Sequence, residues 1–120
     1  MDATSSPTRV LAVVGPAVDR ERLVDVLSPL SVSVAPSVDA AGRRAEAESV
    51  DCVVLGTDRL AHVNAVHGAL AVPLVVVVPP DGDLSAATAR DAGAADVVPV
   101  VDSNLFERLP ERVESAVAWR

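Results

Sequence analysis

Val72-Pro73-Leu74-Val75-Val76-Val77-Val78, closed by Pro79-Pro80, is the run that decides the fold. Its apolar residues are consecutive rather than alternating, and the run is too short for a helix. That is the mark of a strand covered on both faces, as in a parallel sheet. Working outward, Val10–Val14 ends in Gly15-Pro16, and Asp51-Cys52-Val53-Val54-Leu55 ends in Gly56-Thr57. They read as the first and third strands, and Val72–Val78 as the fourth.

The intervening segments carry helical periodicity. Asp19 caps a helix with the stripe Leu23, Val26, Leu27 and Leu30, and Glu21 suits its first turn. Pro29 ends that helix near Leu27 or Ser28. Val32 and Val34 alternate with serines in a half-buried second strand. Ser37 caps a second helix from Val38 to about Ala47. Leu60, Val63, Val66 and Leu70 form the face of a third, capped by Thr57 or Asp58. A fourth runs from Leu84 to Ala92 and stops at Gly93. Val97, Val98, Val100 and Val101 make a fifth strand, and Pro99 inside it assigns that strand to a sheet edge. Asn104 with Glu107 suits a capping box. Pro110 then breaks the segment, with one turn before it and a regular helix to Trp119.

Composition sets further bounds. The 120 residues fit one domain, residues 9–120, after a short polar leader, residues 1–8. Half the residues are apolar, so a core forms, built from Val, Leu and Ala because Phe106 and Trp119 are the only aromatics. No stretch reaches the roughly 18 apolar residues of a membrane span, and the start lacks the pattern of a signal peptide. A cytoplasmic location is the expectation. Seventeen acids face ten basic residues, all of them Arg, for a net charge of -7. That balance argues against a nucleic-acid backbone as partner. The acidic, lysine-free composition resembles that of proteins from salt-loving archaea. One cysteine, Cys52, leaves no disulfide framework and no cysteine metal site; it reads as a buried small hydrophobe.

Five strands alternating with helices predict a doubly wound (βα)5 α/β sandwich of three layers. Right-handed crossovers and an edge-placed fifth strand give the flavodoxin-like order 2-1-3-4-5. In such a sheet ligands and catalysis gather beyond the carboxyl ends of the strands. Here those ends carry almost no side chain able to do chemistry.

From about Arg9 to Ala118 the chain resembles a response-regulator receiver domain. The resemblance rests on Val50-Asp51-Cys52-Val53-Val54, like the third strand of receivers, and on Ala92-Gly93-Ala94-Ala95-Asp96, like the turn before their fifth strand. Leu105 to Val117 is similar to the final helix of haloarchaeal receivers. Receivers take a phosphoryl group onto an aspartate, with an acidic pair holding Mg²⁺, a hydroxyl, and a lysine. Such transfer depends on positioning and charge neutralisation. By the resemblance, Gly56 stands at the nucleophile position and Val14 and Gly15 at the acidic pair. Val78 stands at the hydroxyl and Val100 at the lysine. All five working groups are replaced together, which implies a degenerate, non-enzymatic pseudo-receiver without cofactor or metal. Its rim is expected to be apolar and shallow.

Other residues admit plainer roles beside a functional one. Asp58, two residues past Gly56, is either a displaced phosphoacceptor or a helix cap. Asp81 and Asp83 around Gly82 are a weak cation site or turn residues. His62 and His67 are five apart, off the four-residue spacing of helical metal ligands, and read as solvent-facing or interfacial. Gly15-Pro16-Ala17 offers backbone amides to an anion but lacks a nucleotide-binding pattern. Phe106, Leu109 and Trp119 read as packing residues. The resemblance points to a partner face around Arg90, Pro99, Leu105 and Arg108. The expected function is protein–protein contact in two-component-type signalling, with a histidine kinase or transcription regulator as partner, by a monomer or weak homodimer. The alternatives are a flavodoxin-like module binding a small molecule or nucleotide, and a receiver phosphorylated at Asp58.

Overall fold

The computed structural model describes residues 8–15, 18–47, 49–69, 72–79, 84–100 and 103–118. Five strands, β1 (Arg9–Val14), β2 (Ser31–Ala35), β3 (Cys52–Gly56), β4 (Leu74–Val78) and β5 (Asp96–Pro99), form one sheet. All four pairings are parallel, in the order β2-β1-β3-β4-β5. The expected topology is the observed one. β3 and β4 are buried along their whole length, which is what their unbroken apolar runs require.

Alternate side chains of each strand enter two different cores. Leu11, Val13, Val53, Leu55, Leu74 and Val76 pack with Ala41 of α2 (Val38–Ala47), Val63 and Val66 of α3 (Leu60–Ala69) and Ala89 of α4 (Ala86–Asp91). Val10, Val54, Val75, Val77 and Val98 pack with Leu23 of α1 (Arg20–Val26), Phe106 of α5 (Ser103–Glu107), and Leu109 and Val113 of α6 (Leu109–Ala118). Cys52 lies in this second core, fully buried, with its thiol donating to the Val53 carbonyl at 3.6 Å. The scarcity of aromatics is met by many small aliphatic contacts, each buried valine contributing about 1.5 kcal/mol or more.

Local chemistry sets the helix ends. The Asp19 carboxylate accepts from the Arg22 N–H at 3.3 Å, and α1 stops before Pro29 as expected. Ser37 caps α2, accepting from the Ala40 N–H at 3.1 Å. α4 starts two residues later than Leu84, because Ser85 is its cap and accepts from the Thr88 N–H at 3.1 Å. It ends at Gly93, whose φ of +115° is open to glycine and strained for other residues.

Other expectations change. Leu60 is exposed, since it opens α3 at the rim and lies above the core that holds Val63 and Val66; Leu70 lies outside the described residues. β5 ends at Pro99, and Val100 follows in a turn, its N–H donating to the Val78 carbonyl at 2.9 Å. Asn104 sits inside α5 and so caps nothing. The break before Pro110 is real: α5 and α6 are separate helices, and Arg22 of α1 lies 4.7 Å from the Phe106 ring centroid across that junction. Thr8 is already tied to the sheet, its carbonyl accepting from the Ser31 N–H at 3.1 Å. Residues 1–7 and Trp119 lie outside the described residues.

Candidate functional site

The carboxyl ends of β1, β3 and β4 meet where the topology requires a functional rim. Val14 and Gly15 close β1, Gly56 closes β3, and Val78 closes β4. The structure brings these together. The Gly15 N–H donates to the Gly56 carbonyl at 2.8 Å, and the Thr57 N–H donates to the Val77 carbonyl at 3.1 Å. Val78 is buried, and Val100 is half-buried beside it.

Sequence reading missed the residue that shapes this rim. Val18, in the segment between β1 and α1, is buried against Gly56. A Cβ placed on Gly56 would lie 3.2 to 3.3 Å from three carbons of Val18. One placed on Gly15 would lie 3.2 Å from the Gly56 carbonyl oxygen. Both glycines therefore sit in close approach, and Val18 covers the Gly56 end of the rim with hydrocarbon. Nothing in the local sequence marks Val18, because its contact is with a distant strand end.

This donor set does not fit the divalent cation that the resemblance brings with it. Mg²⁺ takes carboxylate, phosphate and water oxygens at about 2.0–2.1 Å. Val14, Gly15 and Gly56 supply no carboxylate, and the Gly56 carbonyl is already engaged by Gly15. Among the described residues no group of three His, Cys, Asp or Glu is placed to hold a metal ion.

One polar pair does sit at the rim. Thr57 is almost fully buried, and its hydroxyl accepts from the Arg59 N–H at 3.0 Å. The same hydroxyl lies 2.8 Å from Nδ1 of His62. The hydroxyl and Nδ1 share one hydrogen bond, and either can be its donor because a hydroxyl oxygen has two acceptor lone pairs. The turn into α3 is thus made by Thr57. Asp58 is half-buried at this turn, with Val18 standing over Gly56 two residues before it. His62 is half-buried and bonded instead of simply solvent-facing, while the His67 ring packs over Gly93. A five-residue Thr-to-His spacing was the available signal. Beside the pair, Gly15, Ser37, Asp39 and His62 line a cavity of about 300 Å³ floored by Val13 and Leu55. Asp81, Gly82, Asp83, Pro16 and Ala17 lie outside the described residues.

The residues marked as a partner face lie on consecutive elements along the β5 side of the sheet. Arg90 is on α4, Pro99 ends β5, Leu105 is on α5, and Arg108 is exposed between α5 and α6. Asp96 organises this side. Its carboxylate accepts from Arg90 at 3.1 Å, from Arg112 at 2.9 Å, and from the Val97 N–H at 2.9 Å. Arg112 was not foreseen, since it reaches Asp96 from sixteen residues away.

No family model matches the sequence, and no curated protein does. Solved structures do. The signal receiver domain of the response regulator NarL from Mycobacterium tuberculosis superposes with a TM-score of 0.72 at 23% identity, over 97% of this chain and 100% of that one. The fold is that of a response-regulator receiver domain. The receiver domain of TorR, from a TMAO respiratory system, gives 0.71 at 22% identity, covering 95% of this chain and 98% of that one. An atypical orphan response regulator, described as having a phosphorylation-independent regulatory mechanism, gives 0.68 at 16% identity, covering 94% and 98%.

Proposed function

We propose that this chain is a pseudo-receiver, a non-enzymatic domain that signals by protein contact without phosphorylation. The observation that carries the reading is Val18 packed on Gly56 at the strand end where a receiver would present its acceptor carboxylate. An aspartate there would meet hydrocarbon, and a charge buried without a partner is strongly disfavoured. The likeness to an atypical orphan regulator described as phosphorylation-independent supports the same reading. The partner is a signalling protein, a histidine kinase or transcription regulator, and it meets the side formed by Arg90, Pro99, Leu105 and Arg108. Asp96 fixes Arg90 and Arg112 on that side while leaving both guanidinium groups part-exposed. The acidic, lysine-free surface suits a salt-rich cytoplasm.

Incubation with acetyl phosphate and Mg²⁺, followed by intact-mass measurement, tests the proposal. The expected mass is unchanged. A stable gain of one phosphoryl group, mapped to Asp58 or elsewhere, overturns it.

A small-molecule-binding module is the second reading, favoured by the cavity between His62, Ser37 and Asp39. Native mass spectrometry of freshly purified protein separates the two, because a retained nucleotide or flavin supports only the second.

A further inference from the structure

The two edges of the sheet are built differently. A strand edge presents unpaired N–H and C=O groups, and proteins guard it with charge, proline, bulges or short length. The β5 edge has such guards: it is four residues long, starts with Asp96 between two arginines, and ends in Pro99. The β2 edge, Ser31-Val32-Ser33-Val34-Ala35, has no charge and no proline, and its register with β1 runs without a bulge. No described element lies beyond it.

The polar groups of that edge can be assigned. Ser31 donates its N–H toward β1, to the Thr8 carbonyl. Backbone direction alternates along a strand, so Ser33 and Ala35 also face β1. Val32 and Val34 then point their N–H and C=O groups outward. Their side chains lie on the α1 face, where Val32 joins the core and Val34 walls a cleft of about 490 Å³ with Arg20, Glu21, Val24, Asp25 and Ser28.

We propose that a second copy of this chain occupies this edge, β2 pairing antiparallel with β2 of the partner about a two-fold axis near Ser33. Val32 then exchanges two hydrogen bonds with the partner's Val34, and symmetry repeats the exchange. The two sheets become one of ten strands. The same axis runs the two α1 helices antiparallel across the cleft. Arg20, at the start of one helix, comes opposite the partner's Asp25, near the end of the other, and the valines of the cleft lie between these pairs. Charge therefore complements itself under a two-fold, which selects a second copy over an unrelated strand. Each copy carries -7, so the pairing strengthens as salt screens the copies from each other, the Debye length being about 3 Å at 1 M. The proposal stands apart from the signalling role, which uses the opposite edge.

Sedimentation equilibrium of the full chain over a concentration series, in dilute buffer and in about 1 M KCl, gives the test. The expected mass is twice that of the chain, with tighter association in salt. Ser33→Lys sets two like charges opposite each other at the axis and yields a monomer whose melting midpoint, at dilution, matches that of the dissociated parent. Arg20→Asp or Asp25→Arg alone weakens association about fourfold, two symmetry-related exposed pairs each giving a factor near two; the double exchange restores it. Amide exchange at Val32 and Val34 slows as concentration rises. A monomeric parent at every concentration, a dimer that survives Ser33→Lys, or protection of Val32 and Val34 that ignores concentration overturns the proposal. The last result assigns the edge to another segment of the same chain.

Discussion

Gly56 and Val18 form a contact in which one residue has no side chain so that the other can have one. Gly56→Ala places a methyl 3.2 to 3.3 Å from three Val18 carbons, tighter than most packed contacts, so Val18 must give way by a few tenths of an ångström. Overpacking of this kind costs about 1–2 kcal/mol, read as a lower urea midpoint at unchanged slope. Val18→Ala in the same chain removes two of those carbons, so part of the Gly56→Ala loss should vanish in the double variant. Full additivity would show that the two do not touch. Thr57 gives a second check. Thr57→Val keeps shape but leaves the Arg59 N–H and His62 Nδ1 without their partner, an expected loss of about 1–2 kcal/mol; Thr57→Ser should keep most of the stability. Both residues show what a sequence can and cannot tell. The glycine and threonine announce a strand end, but the valine covering them is separated from Gly56 by a whole βαβ unit and carries no local mark.

Elements were legible where burial alone defined them. β3 and β4 are apolar throughout because both faces are covered, and no other reading suits runs of that length and composition. α1 was equally plain, since Asp19 supplies its cap; α2 was a weaker signal, its apolar face being mostly alanine, and the Ser37 cap marked its start. Errors gathered where two local signals competed. Ser85 next to Leu84 offered a cap that the apolar residue masked, and Asn104 offered a cap inside a helix that had already begun. Pro99 identified the edge strand correctly, yet Val100 was too apolar to be read as leaving it. The β5 side makes its own prediction. Asp96→Ala removes acceptors from Arg90, Arg112 and the Val97 N–H at once. Both arginines are part-exposed, so screening limits the effect to about 1–2 kcal/mol, smaller in high salt. Chemical denaturation in dilute and concentrated KCl checks both the loss and its salt dependence.

At the scale of the whole molecule, charge is the dominant feature. Seventeen acids against ten arginines leave a net charge of -7 that repels itself in dilute buffer, and screening relieves that repulsion. The thermal midpoint should rise steadily with KCl. Millimolar Mg²⁺ should do no more than KCl of equal ionic strength, because the strand ends offer it no carboxylate cluster. A large Mg²⁺-specific rise in a melt would contradict this view of the rim. The overall topology was readable in full from the order of apolar runs and helical stripes. The Asp96–Arg112 pair and the bare β2 edge were not, because they depend on residues that are neighbours in space and remote in sequence.

The valine seated on Gly56 also bears on how this protein can evolve. An acid introduced at position 56 lands on a hydrophobic plug, and removing the plug first leaves a void with nothing to fill it. Either single step lowers fitness before the second can help, so the route to an acidic strand end is a valley. Descendants of this chain should therefore keep the sealed tip of the third strand as it is.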